Sequence, residues 1–199
     1  MADKQSHRSV GRPREFDEET VLGAAMDAFW RQGYEATSLA DLCDCMGLHK
    51  GSLYQTFGDK HQLFMKALQH YIDSLFRDIA AAAYSSSSPL ENIRSVMRTA
   101  VNRTVEDQGC LMVNTLVELA PHDPEVKAAL QAVAARETRM MSDLVAKAQQ
   151  AGEIDSAHDP ERVARQLMVT LAGIGATIKG FIDSDEAMQT MDDTIASLL

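Results

Sequence analysis

The sequence contains few cysteines, few prolines and no long apolar run. Its 199 residues include 3 cysteines and 5 prolines. A small, odd number of cysteines argues against a disulfide framework and indicates a reducing cytoplasm. No uninterrupted apolar stretch reaches the roughly 18 residues of a transmembrane helix. The N-terminal MADKQSHRSVGRPRE also lacks the apolar core of a signal peptide. We therefore expect a cytoplasmic protein without membrane contact.

Strand patterns, catalytic motifs and metal-binding motifs are also missing. Apolar residues recur at three- and four-residue spacing, which predicts an all-α fold. The 6 histidines are scattered and form no HExxH, and neither a phosphate-binding loop nor a dinucleotide fingerprint occurs. Glu106, Asp107 and Glu118 lack the histidines at four-residue spacing that a helical carboxylate site would need. We expect no enzymatic activity, no cofactor and no metal.

Positive charge is scarce overall but concentrated at the N-terminus. The formal net charge is −10, yet residues 1–14 carry a local charge of +3 and residues 67–199 carry −8. Most of the negative charge thus lies outside the N-terminal part, which suits a separate acidic domain held away from nucleic acid. Residues 1–14 form either a basic arm that follows phosphates or the minor groove, or a solvated tail.

Residues 37–60 carry the most informative pattern of the chain. Ser38 followed by Asp41 predicts a capping box at the start of a short helix, and Gly47 suits the turn after it. A second helix of less than three turns follows at about residues 50–56. Its outward face is polar and suits base edges and phosphates: His49, Lys50, Gly51, Ser52, Tyr54, Gln55 and Thr56. This is the pattern of a helix-turn-helix, whose second helix enters the DNA major groove.

The same region resembles the TetR/AcrR family of one-component bacterial regulators. GLHKGSLYQTFGDKHQLF is similar to the family signature, and AMDAFWRQGYEATSLADL is similar to its first helix and the following link. The similarity covers about Glu15 to Met65. It implies a DNA-binding domain over residues 15–60 and a regulatory and dimerisation domain over residues 61–199. It also implies phosphate contacts at Thr37, the adjacent Ser38 and Lys60.

The resemblance further implies a homodimer that represses transcription from a palindromic double-stranded operator and is released by a small-molecule inducer or by an electrophile or oxidant. An alternative is a helical protein-interaction module without DNA binding, although Lys50, Tyr54 and Lys60 argue against it. Salt-dependent binding to a palindrome would separate the two functions, because phosphate contacts make affinity depend on salt.

The C-terminal region is predicted to contain six helices, for a total of nine. Three of them start with a capping residue followed by proline, at Ser88, Asp123 and Asp159, and Glu91 is expected to complete a capping box with Ser88. The predicted ranges are about 60–83, 89–106, 110–119, 124–150, 160–182 and 185–198. The first of these carries one apolar stripe along its length, so it should join the DNA-binding domain to the rest of the chain.

The last two helices are predicted to form half of a four-helix dimer interface, as in the family. Glycine costs about 1 kcal/mol inside a helix, so a small-residue segment indicates that another backbone approaches closely. That segment contains Ala172, Gly173, Gly175, Ala176 and Gly180, and the final helix adds Met188, Met191, Ile195 and Leu198. The alternative is that both helices pack only onto their own chain.

A second motif indicates a sensing site. GCLMVN, which contains Cys110, Met112 and Asn114, resembles a TetR subgroup that includes the N-ethylmaleimide reductase repressor, in which the matching cysteine senses electrophiles. Lys179 matches a lysine of that subgroup and would favour a reactive thiolate at Cys110. The alternative is a buried, inert thiol. Adaptable methionines are candidates for lining an inducer cavity, or fill gaps in the core: Met97, Met112, Met140, Met141 and Met168.

Overall fold

The computed structural model describes residues 17–104 and 108–198, which form nine α-helices and no strand. The basic arm predicted at residues 1–14 lies outside the described residues. The helices are α1 (Glu18–Gln32), α2 (Leu39–Met46), α3 (Lys50–Phe57), α4 (Lys60–Ala82), α5 (Pro89–Asn102), α6 (Leu111–Glu118), α7 (Pro124–Gln150), α8 (Pro160–Thr177) and α9 (Ser184–Ala196). The all-α prediction and the helix count are confirmed for this part of the chain.

Short polar side chains begin most of the helices. Ser38 and Asp41 form the predicted reciprocal capping box of α2, which supplies partners for backbone N–H groups at the helix start. Proline stands in the first turn of α5, α7 and α8, as predicted. The capping box predicted at Ser88 is only half formed. Ser88 accepts the N–H of Glu91, but the Glu91 carboxylate lies 3.3 Å from Arg94.

Two helices end earlier than their apolar pattern predicted. α5 ends at Asn102 because the N–H groups of Arg103 and Thr104 donate to carbonyls three residues back, which tightens the last turn. α8 was expected to reach residue 182 but ends at Thr177. The carbonyl of Thr177 accepts the N–H groups of Gly180, Phe181 and Ile182, so the chain turns away there.

α4 belongs to both halves of the fold, as predicted. Near its start, Leu63 and Phe64 pack in the core together with α1, α2 and α3. Farther along, Leu68, Tyr71 and Leu75 are buried in the core that α5, α7 and α8 complete. A helix 23 residues long spans roughly 35 Å, so a single rigid element connects the two parts. No described helix has the length and apolar character needed to span a membrane.

Candidate nucleic-acid interface and ligand cavity

The polar face of α3 is exposed, because two apolar residues anchor the opposite face. Leu53 and Phe57 are fully buried, whereas Tyr54 is 43% exposed. Lys50 Nζ lies 5.9 Å from the centroid of the Tyr54 ring, so a cation and an aromatic hydroxyl stand side by side. Exposed residues account for most of the predicted reading face: His49, Lys50, Gly51, Ser52, Tyr54 and Gln55, with Thr56 half-buried.

His49 begins α3 without a capping bond. It occupies the N-cap position, but its side chain accepts no hydrogen bond from the helix. Serine or asparagine there would accept a backbone N–H of the first turn. The imidazole is exposed and can face a ligand rather than its own helix.

The three predicted phosphate-contacting residues differ in their surroundings. The Thr37 side chain is fully buried, and its hydroxyl donates to the Gly33 carbonyl at 2.6 Å. The prediction for the Thr37 side chain is therefore wrong in this conformation. Ser38 is exposed, with its hydroxyl 2.6 Å from the Asp41 carboxylate. Lys60 Nζ lies over the Tyr34 ring, 4.4 Å from its centroid, next to the α3 face.

A cavity of about 470 Å³ lies within the C-terminal helices. Its walls are largely apolar and include all five methionines that the sequence indicated: Met97, Met112, Met140, Met141 and Met168. α4, α5, α6, α7 and α8 all contribute to the walls. Exposed side chains at the edge, such as Lys127 and Leu116, mark an opening between α6 and α7. Both the size and the apolar lining are typical of small-molecule sites.

Burial raises the pKa of three polar groups on the cavity wall. Burial raises the pKa of Tyr71 and the pKa of the Cys110 thiol above their usual values. The Tyr71 hydroxyl lies 3.9 Å from Cys110 Sγ. Burial also raises the pKa of Glu137 to about 7. Low polarity disfavours the charged form of each acid, so the cavity combines apolar walls with groups that ionise reluctantly.

Lys179 is paired with Asn114 rather than with Cys110, which differs from the prediction. Its Nζ donates to Asn114 Oδ1 at 3.3 Å, and both residues line a separate groove beside α1 rather than the cavity. Cys110 and Met112 line the cavity itself. The raised pKa of Cys110 favours the thiol, so this surrounding does not support a reactive thiolate.

Gly175 serves a contact within the chain rather than the predicted dimer contact. A Cβ at this position would lie 2.8 Å from the Cys110 Cβ, and the Gly175 carbonyl accepts the Cys110 N–H at 3.1 Å. The start of α6 thus rests directly on the α8 backbone. Gly173 has no neighbouring atom within 4 Å of such a Cβ, so close approach by a partner can apply only to the outer face of α8.

The apolar residues of α9 are also used within the chain. Met191, Ile195 and Leu198 are buried, and Met188 is half-buried. These side chains therefore pack in the core of their own chain. Exposed apolar surface lies instead on and after α8, where Val169 is 72% and Phe181 is 87% exposed.

Sequence reasoning missed three polar contacts between the first helices and the C-terminal part. The Glu118 carboxylate at the end of α6 accepts the backbone N–H groups of Tyr34 and Glu35, at 3.0 and 2.9 Å. The Trp30 indole donates to the Gly109 carbonyl at 3.2 Å. His61 Nε2 lies 2.7 Å from the Asp123 carboxylate, and contacts to this carboxylate hold the pKa of Asp123 below its usual value, chiefly the Val126 N–H.

Comparison with known proteins agrees with this geometry. Residues 21–67 match the family model for bacterial regulatory proteins of the tetR family, and residues 88–195 match the tetracyclin repressor-like C-terminal domain. The HTH-type transcriptional repressor ComR of Escherichia coli is 30% identical over 192 residues, which cover 94% of this chain and 91% of ComR. The HTH-type regulator YezE of Bacillus subtilis is 28% identical, covering 95% of this chain and all of YezE.

A solved structure shares both the fold and the sequence similarity. A cysteine mutant of the TetR family transcriptional regulator CifR, complexed with 26-base-pair double-strand operator DNA, superposes with a TM-score of 0.83 at 29% identity. The match covers 95% of this chain and all of that one. The bound DNA is a property of the CifR complex, and it shows that this fold can present its helix-turn-helix to a duplex.

Proposed function

Because the chain belongs to the TetR family of DNA-binding transcriptional regulators and is not an enzyme, we propose that it is a homodimeric repressor. It binds a palindromic double-stranded operator in the cytoplasm and leaves it when a small molecule occupies the cavity. The observation that carries the proposal is the combination of an exposed polar α3 face with a separate apolar cavity, joined by α4. Residues 15–60 form the reading domain, and residues 61–199 bind the inducer and the second protomer.

On DNA, the α3 face supplies both base and phosphate contacts. Gln55 is suited to a base edge, and Tyr54 to a phosphate or a thymine methyl group. Lys50 and Lys60 supply charge, and Lys60 also stands at the start of α4, where the helix dipole favours an anion. His49, Gly51, Ser52 and Thr56 complete the face, and Ser38 contacts the backbone beside it. Thr37 is left out, because its side chain is buried.

Dimerisation sets the distance between two α3 helices. Half-sites one DNA turn apart require recognition helices about 34–36 Å apart, which one protomer cannot provide. We propose that α8 and α9 pack against their counterparts, with the exposed Val169 and Phe181 side chains covered by the partner. Small residues on the outer face of α8 permit close approach, including Ala172, Gly173 and Ala176, which are all exposed.

The cavity communicates with the reading domain through α6. This helix contributes Met112 and Leu116 to the cavity wall, and its last residue, Glu118, holds the turn that follows α1. A ligand that displaces α6 therefore moves the carboxylate and the turn together. A ligand shifts the balance between two conformations only if it binds one of them more tightly than the other. Because α6 forms part of the cavity wall, the conformations with α6 in place and with α6 displaced differ in their affinity for the ligand.

The test begins with selection of binding sites from random duplex DNA by the full chain. We expect an enriched palindrome, retarded in a gel by a dimer, with affinity that falls steeply as salt rises. Tyr54→Ala should abolish retardation while leaving the dimer intact. Tyr84→Ala is the matched control, because Tyr84 is 79% exposed and lies in the loop between α4 and α5. Failure to enrich any palindrome, or full binding by Tyr54→Ala, would contradict the proposal.

A further inference from the structure

Glu137 is the exceptional residue of the cavity. It projects from the middle of α7 and is only 6% exposed, although it is an acid. Among the described residues, no side chain or backbone group forms a hydrogen bond or an ion pair with its carboxylate. Buried carboxylates in proteins are normally paired, because leaving water without a partner is costly. An unpaired acid on the wall of an open cavity therefore indicates a partner that comes from outside.

We propose that the cavity binds small organic cations, with Glu137 as the counter-ion and the apolar walls holding an aromatic or aliphatic body. This deepens the proposed function, since it names the chemical class of the inducer. The ligand's ammonium supplies the missing partner of the carboxylate. The polarizable thioethers of Met97, Met112 and Met141 adapt to the shape of the body.

The other charged groups near the cavity do not replace that partner. Lys127 is exposed at the opening. The Arg136 guanidinium lies 3.7 Å from the centroid of the Phe76 ring and lowers the pKa of Glu137 less than burial raises it. Arg103 pairs with Asp78 and lies over the Tyr71 ring. Tyr71 and Cys110 face the cavity as neutral groups, because burial raises both of their pKa values.

The binding experiment uses three probes of similar shape and different charge. Benzyltrimethylammonium carries a fixed positive charge, neopentylbenzene is its uncharged isostere, and phenylmethanesulfonate is an anion of similar size. Titration calorimetry with the purified full chain at pH 8 should show that the cation binds at least about tenfold more tightly than the isostere. A factor of ten in affinity corresponds to the same free energy as a shift of one pKa unit. Glu137→Gln should remove this preference, and Glu125→Gln, an exposed acid on the same helix, should retain it.

The pH dependence tests the same ion pair without any mutation. A pKa of about 7 makes Glu137 roughly 90% ionised at pH 8 and roughly 3% at pH 5.5. Binding of the fixed-charge cation should therefore be weaker at pH 5.5 than at pH 8, by up to about 30-fold, whereas binding of the isostere should not change. This measurement remains decisive if Glu137→Gln fails to fold.

Two results would overturn the inference. One is equal or tighter binding of the isostere or the anion by the unmodified chain. The other is a preference for the cation that survives Glu137→Gln and does not change with pH. Both measurements are made without DNA, so they are independent of the operator selection. If the chain binds an operator but not the cation, only this inference is disproved. If it binds the cation but no operator, only the proposed function is disproved.

Discussion

The contact of Glu118 with the turn after α1, here called the Glu118 clamp, allows a direct test of what joins the two halves of the fold. One carboxylate at the end of α6 accepts two backbone N–H groups of the turn after α1, from Tyr34 and Glu35. Hydrogen bonds to a charged group contribute about 1.5–3 kcal/mol each. The Glu35 N–H bond is exposed and the Tyr34 N–H bond is only partly buried, so solvent screening lowers each contribution to about 1 kcal/mol. We expect Glu118→Ala to reduce the free energy of unfolding by about 2 kcal/mol.

Glu118→Gln provides a graded comparison. The amide keeps one acceptor oxygen but turns an NH₂ group toward the second backbone donor, so about half of the effect, roughly 1 kcal/mol, should remain lost. Glu161→Ala is the control, because Glu161 makes only an exposed pair with Arg165. Such pairs contribute less than about 1 kcal/mol.

The only tryptophan of the chain is well placed to report on the clamp. Trp30 donates to Gly109 and its ring packs edge-on against Tyr71, with centroids 5.3 Å apart. Urea unfolding is followed by tryptophan fluorescence and by far-ultraviolet circular dichroism. In Glu118→Ala, the fluorescence midpoint should fall at least as far as the dichroism midpoint. An unfolding free energy within about 0.5 kcal/mol of the Glu161→Ala value would refute the reasoning.

Four further predictions concern single residues. Gly175→Ala should destabilise the protein by about 1–3 kcal/mol through overpacking against Cys110. Gly23→Ala, at an open position in α1, should instead stabilise it by up to about 1 kcal/mol, and urea unfolding measures both. Iodoacetamide should alkylate native Cys110 more slowly than the same cysteine in the unfolded chain, because burial raises the thiol pKa; equal rates by mass spectrometry would contradict this. The raised pKa of Glu137 stabilises the fold at low pH, and this contribution is lost as pH rises through about 7. Stability of Glu137→Gln relative to the natural chain should therefore increase by about 3 kcal/mol between pH 4.5 and pH 8, and a difference that does not vary with pH would contradict the assignment.

Local patterns predicted the helices and the exposed polar face of α3 well, for a physical reason. The capping box at Ser38, the prolines that begin α5, α7 and α8, and the buried Leu53 and Phe57 of α3 all depend on residues within one or two turns. Helix caps and amphipathic spacing act over that same distance. The methionines of the cavity wall could also be named as candidates from the sequence. The reason is that a flexible, polarizable methionine side chain is by itself typical of adaptable binding pockets.

Contacts between distant residues could not be inferred in this way. Glu118 meets Tyr34 across 84 positions and Lys179 meets Asn114 across 65, and no local spacing encodes either pair. Lys179 was expected at Cys110 but lies in a neighbouring groove, and Gly175 contacts Cys110 instead of a second protomer. The composition and order of residues thus specify which helices form and which side chains of α3 are exposed. The packing of those helices decides that Glu137 is buried on the wall of an open cavity without a partner. Burial and pairing depend on residues from several helices at once, so no local pattern predicts them.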